Sequence, residues 1–427
     1  MTSSTHANAY LLTVALAAML ASILPPFSDL IAISGNNLWP YPGPDIHFDY
    51  FVGGLVGLLC GGLIGIAPIP KSLRPIVIFC WTCKFAAALF ILPLYEYAYG
   101  LDIDGYFFFS EMPTMTGQSD IQTWRIRWLA WLMFKIIGPS FHGGKIFFSF
   151  IGFLGIYLTY RGVARFLRFD NPRLLIFMSL APTCMFWSAT LGKDPICMFA
   201  VGLYAHGCLG WLTDFKPIHL LKIICAAALA ISIRSYFLPI MGAPLALAFF
   251  LQTRRPFLRA LMLPLFVVGS WYSITTFSES MKLDSFQSFV AYQGNVSRNW
   301  QGGSSFVLPV IDTPLKLALV APLGVLTALF RPTLLEAHNP FALAAAVDNT
   351  ILLIMFLYAL KRSRRAEILQ PPILWMSAFV IVWSVMYGLG TGNLGAISRF
   401  KIQVLPIFIS LLLYLSRKRV KAAPLPA

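Results

Sequence analysis

Charged residues are scarce in this chain of 427 residues. Asp, Glu, Lys and Arg make up 11% of it, whereas hydrophobic residues make up 58% and the mean hydropathy is +0.73. This composition excludes an ordinary soluble domain. It also disfavours a β-barrel, because barrel strands are short and alternating whereas the apolar runs here are continuous. Backbone polar groups in lipid are then satisfied within helices, so the sequence predicts an all-α polytopic membrane protein.

Motifs for metals, disulfides and nucleotides are also lacking. The six histidines show no metal-ligand spacing, and the seven cysteines fall in apolar runs without a metal or disulfide pattern. Cys80 and Cys83 form a Cys-x-x-Cys inside a predicted helix, where packing explains them. The glycine-rich stretch 388–395 lacks the ending of a phosphate-binding loop, and no nucleophile–histidine–carboxylate arrangement is evident. The sequence therefore gives no support for chemistry on cytosolic ATP or nucleotide sugars.

The chain does contain about twelve apolar segments, which predict one integral membrane domain over residues 1–427 with about 12 transmembrane helices. The segments lie at 9–25, 50–68, 75–95, 145–160, 172–190, 195–212, 219–235, 237–251, 257–276, 342–360, 372–389 and 402–416. The first is predicted to stay in the protein as a helix, because no basic region precedes it and no clean cleavage site follows. A further apolar stretch, Leu315–Phe330, is predicted to be re-entrant or to lie on the outer surface.

The net charge of +15 predicts the orientation of these helices. Nineteen of the 32 Lys and Arg residues lie in six short stretches, 71–74, 161–173, 216–222, 254–259, 361–365 and 417–421. Cytoplasmic loops are enriched in Lys and Arg, which explains the basic balance better than nucleic-acid binding does. Both termini are then predicted to be cytoplasmic. The predicted extracytoplasmic loops are 26–49, 96–144, 191–194, 277–313 and 390–401.

Two carboxylates in the outer loop 96–144 are the candidate catalytic residues. Asp102 and Asp104 precede Tyr106, and one of the two carboxylates can act as a general base while the other binds a cation or a hydroxyl. Acids are also common in solvated outer loops, so the pair alone does not decide. Asp45 and Asp49 in the first outer loop are the alternatives for the base.

The same loop ends in a stretch that mixes tryptophan and leucine with basic residues. Ile121–Ile137 contains Arg125, Arg127 and Lys135 among its aromatic residues. This mixture predicts an amphipathic helix at the extracytoplasmic interface, with its aromatic rings at headgroup depth. It either guides a substrate or only rests on the membrane.

Basic residues at three separate outer positions are the candidate phosphate-binding residues. Lys193 lies at a predicted helix start, where anions bind readily, and Asp194 is expected at or near the N-cap of that helix. Arg234 occupies the only break in an apolar tract, and Arg399 follows the glycine-rich stretch. Arginine binds phosphate through two parallel hydrogen bonds, although either arginine could also serve only as an interface anchor.

These features resemble bacterial GT-C-type membrane glycosyltransferases and other polysaccharide-assembly membrane proteins. The acidic pair with its amphipathic stretch looks like the first large loop of that family. Trp187–Pro195 is similar to a segment that precedes a helix in such proteins, and Asn393–Lys401 resembles the pattern that opens their last helix. The stretch 329–339, which contains Arg331, is also similar. The resemblance is spread over most of the chain.

The resemblance implies an inverting glycosyltransferase of the bacterial inner (plasma) membrane. Its donor would be a sugar on a polyprenyl phosphate or diphosphate, and its acceptor a glycan or lipid in cell-surface polysaccharide biosynthesis. Lys193, Arg234 and Arg399 would hold the departing phosphate. No cofactor is assigned from the sequence, and bridging by Mg²⁺ or Mn²⁺ stays open. The secondary site candidates are Asp45, Asp49, Tyr106, Asp194, Lys401 and Arg331.

Two other functions stay open at this stage. A polysaccharide polymerase or ligase would also join lipid-linked glycans at the outer face. A transporter or flippase of lipid-linked glycans belongs to a different class, because it predicts charges buried near the bilayer midplane and an internal repeat. No convincing repeat is seen, and the charges outside the predicted cytoplasmic loops concentrate at one face, which favours the transferase.

Overall fold

The computed structural model describes residues 45–99, 121–234, 237–252, 304–311 and 313–417. These residues form helices and short connections, with no strand among them. In chain order the helices are α1 (Ile46–Ile66), α2 (Arg74–Ala86), α3 (Leu92–Tyr99), α4 (Ile121–Ile137), α5 (Phe141–Leu167), α6 (Pro172–Leu180), α7 (Pro182–Trp187), α8 (Lys193–Asp214), α9 (Pro217–Ile233), α10 (Phe237–Gln252), α11 (Pro314–Phe330), α12 (Pro340–Arg362), α13 (Arg365–Ile368), α14 (Pro371–Gly390), α15 (Leu394–Phe400) and α16 (Leu405–Ser416). A π-helical turn, Ala87–Ile91, joins α2 to α3.

Six helical stretches of the described residues are long and apolar enough to cross a membrane. They are Ile46–Ile66, Arg74–Glu96, Phe141–Leu167, Lys193–Asp214, Pro340–Arg362 and Pro371–Gly390. The pair Leu394–Gln403 and Leu405–Ser416 also qualifies but is bent by 69°. The prediction of a polytopic helical membrane protein is thereby confirmed. The count of about twelve spans and the orientation stay predictions, and segments 9–25 and 257–276 lie outside the described residues.

Prolines explain where the observed helices depart from the predicted segments. The segment 172–190 is divided into α6 and α7, because the residue before Pro182 takes a non-helical conformation (φ −52°, ψ 122°) as residues before proline tend to do. The last segment, 402–416, is mainly the single helix α16, which has Pro406 in its first turn and follows the bend. Only the segment 172–190 is divided into two helices.

Close helix contacts in the bundle depend on glycine. Gly155 of α5 faces Gly202 of α8, and a Cβ atom on Gly202 would overlap the carbonyl group of Gly155. Gly324 of α11 and Gly388 of α14 meet in the same way. Small residues allow such approach between helices in membranes. The stretch Leu315–Phe330 is therefore part of a helix packed on α14, and both its re-entrant path and its position on the outer surface stay predictions.

Helix α4 has the bounds that the amphipathic pattern predicted, Ile121–Ile137. Its residues Ile126, Ala130, Met133 and Phe134 are buried against the bundle. The side chain of Arg125 donates from Nη1 to the carbonyl oxygen of Ser232 at 2.6 Å, which attaches α4 to the end of α9. The helix is confirmed, and its location at the membrane interface stays a prediction.

The two ends of the bundle bring together different predicted loops. At one end, Arg165 pairs with Asp214 at 3.3 Å and Arg417 pairs with Glu367 at 2.9 Å, which gathers stretches predicted to be cytoplasmic. The start of α8 lies at the opposite end, since α5 and α8 pack side by side along their length. Described residues of three stretches predicted to be outside, 191–194, 277–313 and 390–401, meet there, and they form the candidate site.

Candidate functional site

Asp194 is the meeting point of two predicted phosphate-binding residues. Arg234 donates from Nη2 to Oδ1 of Asp194 at 2.9 Å, and Arg399 donates from Nε to Oδ2. The Asp194 side chain is fully buried and Arg234 is 8% exposed. The fold thus brings residues from three distant parts of the chain onto one carboxylate.

The role of Asp194 differs from the one that the sequence favoured. The N-cap of α8 is Gly192, and no side chain caps the helix. Asp194 lies in the first turn, where negative charge suits the helix dipole, but its carboxylate is directed to the two arginines. Lys193, the first residue of α8, is half-buried beside it.

Aromatic rings support both arginines. Arg234 follows α9 in an extended conformation (φ −147°, ψ 103°), and its guanidinium carbon lies 4.4 Å from the centre of the Phe400 ring. The guanidinium carbon of Arg399 lies 6.0 Å from the centre of the Trp187 ring. Guanidinium groups stack well on aromatic faces. Each guanidinium group is therefore held from two sides, by a carboxylate and by a ring.

Lys401, one of the secondary site candidates, is buried in the bundle. Its ammonium group donates to the carbonyl oxygens of Leu329 at 3.1 Å and Arg331 at 3.2 Å, and to Asn349 Oδ1 at 2.7 Å. Asn349 in turn donates from Nδ2 to the carbonyl oxygen of Pro332 at 2.9 Å. These contacts make Lys401 a support for the segment that follows α11.

Arg331 pairs with Glu336 in that supported segment. Arg331 donates from Nε to Oε1 of Glu336 at 2.8 Å and also from Nη2, while Oε2 accepts from the backbone N–H of Thr333 at 2.8 Å. The hydrogen bonds from Arg331 are the largest cause that lowers the pKa of Glu336. The guanidinium carbon of Arg331 lies 4.8 Å from the centre of the Phe306 ring. The two side chains form a salt bridge that is held in place by the backbone of Thr333.

A cavity of about 550 Å³ lies between this pair and Trp187. Its apolar lining comes mainly from helices, and its polar lining comes mainly from residues 304–305, the segment 331–339 and Ser398. The ring of Tyr95 lies within 5.6 Å of the rings of Phe186, Trp187 and Phe341 at steep angles, so the aromatic wall is packed edge to face. The cavity adjoins Arg399, because Trp187 lines the cavity and its ring is the one that faces the Arg399 guanidinium group.

The other carboxylates predicted for the site have different roles or lie elsewhere. Asp45 caps α1 by accepting from the backbone N–H groups of His47 at 2.9 Å and Phe48 at 3.1 Å. Asp49 is buried and accepts from Ser140 Oγ at 2.5 Å and from both the backbone N–H and the ring of His142. The contacts of both carboxylates hold helix ends. Asp102, Asp104 and Tyr106 lie outside the described residues.

Sequence reasoning missed several buried charges because it looked for them in the breaks between apolar segments. Lys145 of α5 pairs with Glu96 of α3 at 2.8 Å, with both side chains buried. Lys84 of α2 donates to the carbonyl oxygens of Cys184 at 3.3 Å and Met185 at 3.2 Å. Asp348 of α12 accepts from the backbone N–H of Thr183 at 3.4 Å. The signal was a lone charged residue within an apolar run, which marks a specific interior contact.

Among residues 45–99, 121–234, 237–252, 304–311 and 313–417, no group of three or more His, Cys, Asp and Glu is placed to hold a metal ion. Binding of Mg²⁺ or Mn²⁺ at the outer-loop carboxylates stays open. Comparison with protein-family models, with curated proteins and with solved structures gives no match. The functional argument therefore depends on the residues of this chain.

Proposed function

We propose that the protein is a membrane glycosyltransferase that acts at the extracytoplasmic face of the bacterial inner membrane. It transfers a sugar from a polyprenyl phosphate or diphosphate donor to a glycan or lipid acceptor in cell-surface polysaccharide biosynthesis. The observation that supports this proposal is the convergence of Arg234 and Arg399 on Asp194 beside a large cavity. Guanidinium groups held in fixed directions at the end of a helical bundle suit a phosphate group at the membrane surface.

The proposed reaction is a displacement at the anomeric carbon of the donor sugar. The acceptor oxygen forms a bond to that carbon, and the bond from the carbon to the phosphate oxygen breaks. The electron pair leaves with the phosphate, whose negative charge Arg234 and Arg399 stabilise together with Lys193. The acceptor proton passes to a carboxylate of the outer loop, for which Asp102 and Asp104 are the candidates, and such base catalysis contributes roughly 10²–10⁴-fold.

Asp194 is a positioning residue in this proposal, and it is not the base. Both of its oxygens accept hydrogen bonds from arginine. A guanidinium group carries five N–H donors, so one arginine can bind a carboxylate and a phosphate together. Asp194 therefore fixes where the two guanidinium groups point before the donor arrives, which reduces the reorganisation that binding requires.

The experiment that tests the function is deletion of the gene followed by analysis of lipid-linked glycans and surface polysaccharide. The proposal predicts that a lipid-linked glycan lacking one sugar accumulates, and that the purified protein in nanodiscs completes it when given a polyprenyl-linked donor. Accumulation of complete single repeat units would assign a polymerase or ligase instead. Unchanged glycans in the deletion strain would contradict both the transferase and the polymerase or ligase.

A transporter or flippase of lipid-linked glycans is the second candidate, and the buried charges favour it. Lys84, Lys145 and Glu96 lie within helices that are long enough to span the membrane, as charges on transport pathways do. Their contacts within the bundle also suit a purely supporting role. Transport is distinguished by the deletion strain, because loss of a flippase leaves a complete lipid-linked unit on the cytoplasmic leaflet.

A further inference from the structure

The cavity beside Trp187 begins at a change of helix type. Residues Ala87–Ile91 form a π turn between α2 and α3, and both its first and its last residue line the cavity. The sequence gives a cause: Pro93 lacks the N–H group that an α-helix would use, and its ring would crowd the carbonyl group four residues earlier. Single π turns occur frequently at functional sites, because they displace side chains from their α-helical positions.

The cavity also reaches the exposed apolar surface at the side of the bundle. Ile91 is 50% exposed, and Ala344 of α12 is exposed as well, although both line the cavity. Most residues of α12 are exposed or only partly buried, and the helix carries an exposed stripe that includes Leu343, Val347 and Ile354. The π turn and α12 therefore border an opening in the exposed apolar surface of the bundle.

The opposite part of the lining is polar and adjoins the arginine pair. Arg331, Glu336 and Asn339 line the cavity, and so does Ser398, the neighbour of Arg399 in α15. An occupant with its apolar part between the π turn and α12 would thus place a charged group near Arg331, on the side of the cavity where α15 carries Arg399. This arrangement matches an amphiphile better than a free sugar, because the helices supply a mostly apolar lining and open toward lipid.

We infer that the cavity binds the isoprenoid chain of the phosphate-bearing lipid substrate, which enters sideways from the bilayer between the π turn and α12. This inference rests on the proposed function for the identity of the lipid. A volume of about 550 Å³ is that of a small-molecule site, so it holds the units closest to the phosphate while the remaining chain stays in the membrane.

Binding is tested without catalysis by native mass spectrometry of the protein in detergent, with undecaprenyl phosphate and phosphatidylglycerol as the two probes. Ala345 of α12 lines the cavity, whereas Val347 of the same helix faces lipid outside it. Ala345→Trp should weaken binding of undecaprenyl phosphate about tenfold, because it displaces several buried methyl or methylene groups, and Val347→Trp should leave it unchanged. Equal binding by the wild type and Ala345→Trp would overturn the inference, as would equal binding of both lipids by the wild type.

A second measurement covers the case in which Ala345→Trp fails to fold. p-Benzoylphenylalanine at position 342 of the cavity and at position 354 of the exposed stripe is irradiated in native membranes, and the attached lipids are identified. Polyprenyl phosphates should be enriched at position 342 relative to position 354, and the same lipid mixture at both positions would overturn the inference. Lipid binding without glycosyl transfer would instead contradict only the proposed function, and transfer without binding in the cavity only the inference.

Discussion

The guanidinium group of Arg399 donates from Nε to the carboxylate of Asp194, which lies 205 residues earlier in the chain. The contact links α15 to the first turn of α8, and Arg234, which follows α9, contacts the same carboxylate. A carboxylate shared by two arginines is a fixed frame for a second anion. The first two predictions examine this frame.

Lysine cannot replace the arginines if they bind phosphate through parallel hydrogen bonds. Arg234→Lys and Arg399→Lys keep the charge but lose the planar fork, so transfer from a lipid-phosphate donor should fall about 10- to 100-fold in each. The matched control is Arg165→Lys at the other end of the bundle, which should retain activity. Membrane abundance is measured alongside, and full activity in both variants would reduce the two arginines to interface anchors.

Lys193 is expected to act as a point charge, so Lys193→Arg should be tolerated and Lys193→Ala should not.

Loss of the shared carboxylate should affect stability as well as function. Asp194→Ala leaves two guanidinium groups, one of them buried, without the oxygens that they now contact. Breaking a buried ion pair from one side costs about 3–5 kcal/mol, reduced here because Arg399 is 21% exposed. The melting temperature of the purified protein should therefore fall clearly. Asp45→Ala is the control, because loss of an exposed N-cap costs only about 1 kcal/mol.

Substitution of an outer-loop carboxylate should abolish activity without reducing the amount of folded protein. Asp102→Asn or Asp104→Asn is expected to abolish complementation of a deletion strain while protein abundance stays near normal, because a general base is needed at every turnover. If both variants complement fully, neither residue is the base. Asp45 and Asp49, whose carboxylates accept hydrogen bonds at helix ends, would then be tested as the base by the same substitution.

Close glycine contacts should be sensitive to a single methyl group. Gly202→Ala forces α5 and α8 apart and should destabilise the protein by about 1–3 kcal/mol. Gly62 of α1 has nothing within 4 Å of its added Cβ position, so Gly62→Ala should be neutral or slightly stabilising. Thermal unfolding of both variants is the measurement, and similar losses in the two would contradict the packing argument.

The predicted orientation can be examined by labelling single cysteines from outside the cell. Cysteines introduced within 277–313 should react with an impermeant maleimide, and cysteines within 361–365 should react only after permeabilisation. The reverse pattern would place the arginine frame in the cytoplasm and exclude an extracytoplasmic transferase.

The fold was predictable where one stretch of sequence contains the whole cause. Apolar runs long enough to span a membrane predicted helices such as α8 and α12, and the mixed pattern predicted the bounds of α4. Prolines explain where a predicted segment is divided, as at Pro182, because proline disfavours the helical conformation of the residue before it.

The site was predictable as a set of residues but not as an arrangement. Arg234 and Arg399 were found because charges in breaks of apolar tracts need an explanation, whereas their shared partner depends on helix packing over 205 residues. The partners of Lys401 were not predictable for the same reason, because its carbonyl partners belong to the end of α11. Hydropathy reports how a residue meets lipid, and it carries no information about which helix lies beside it.

The contact between Lys84 and the end of α7 has a consequence for biosynthesis. Lys84 Nζ donates to Cys184, Met185 and Ser188, and the first of these lies 100 residues further along the chain. Synthesis at about 5–20 residues per second separates the two by roughly 5–20 s. A lysine at the centre of a membrane helix disfavours insertion by about 2.5–3.5 kcal/mol. During that interval the nascent α2 has no access to these acceptors. The apolar residues around Lys84 must therefore offset the cost of the lysine when α2 enters the membrane.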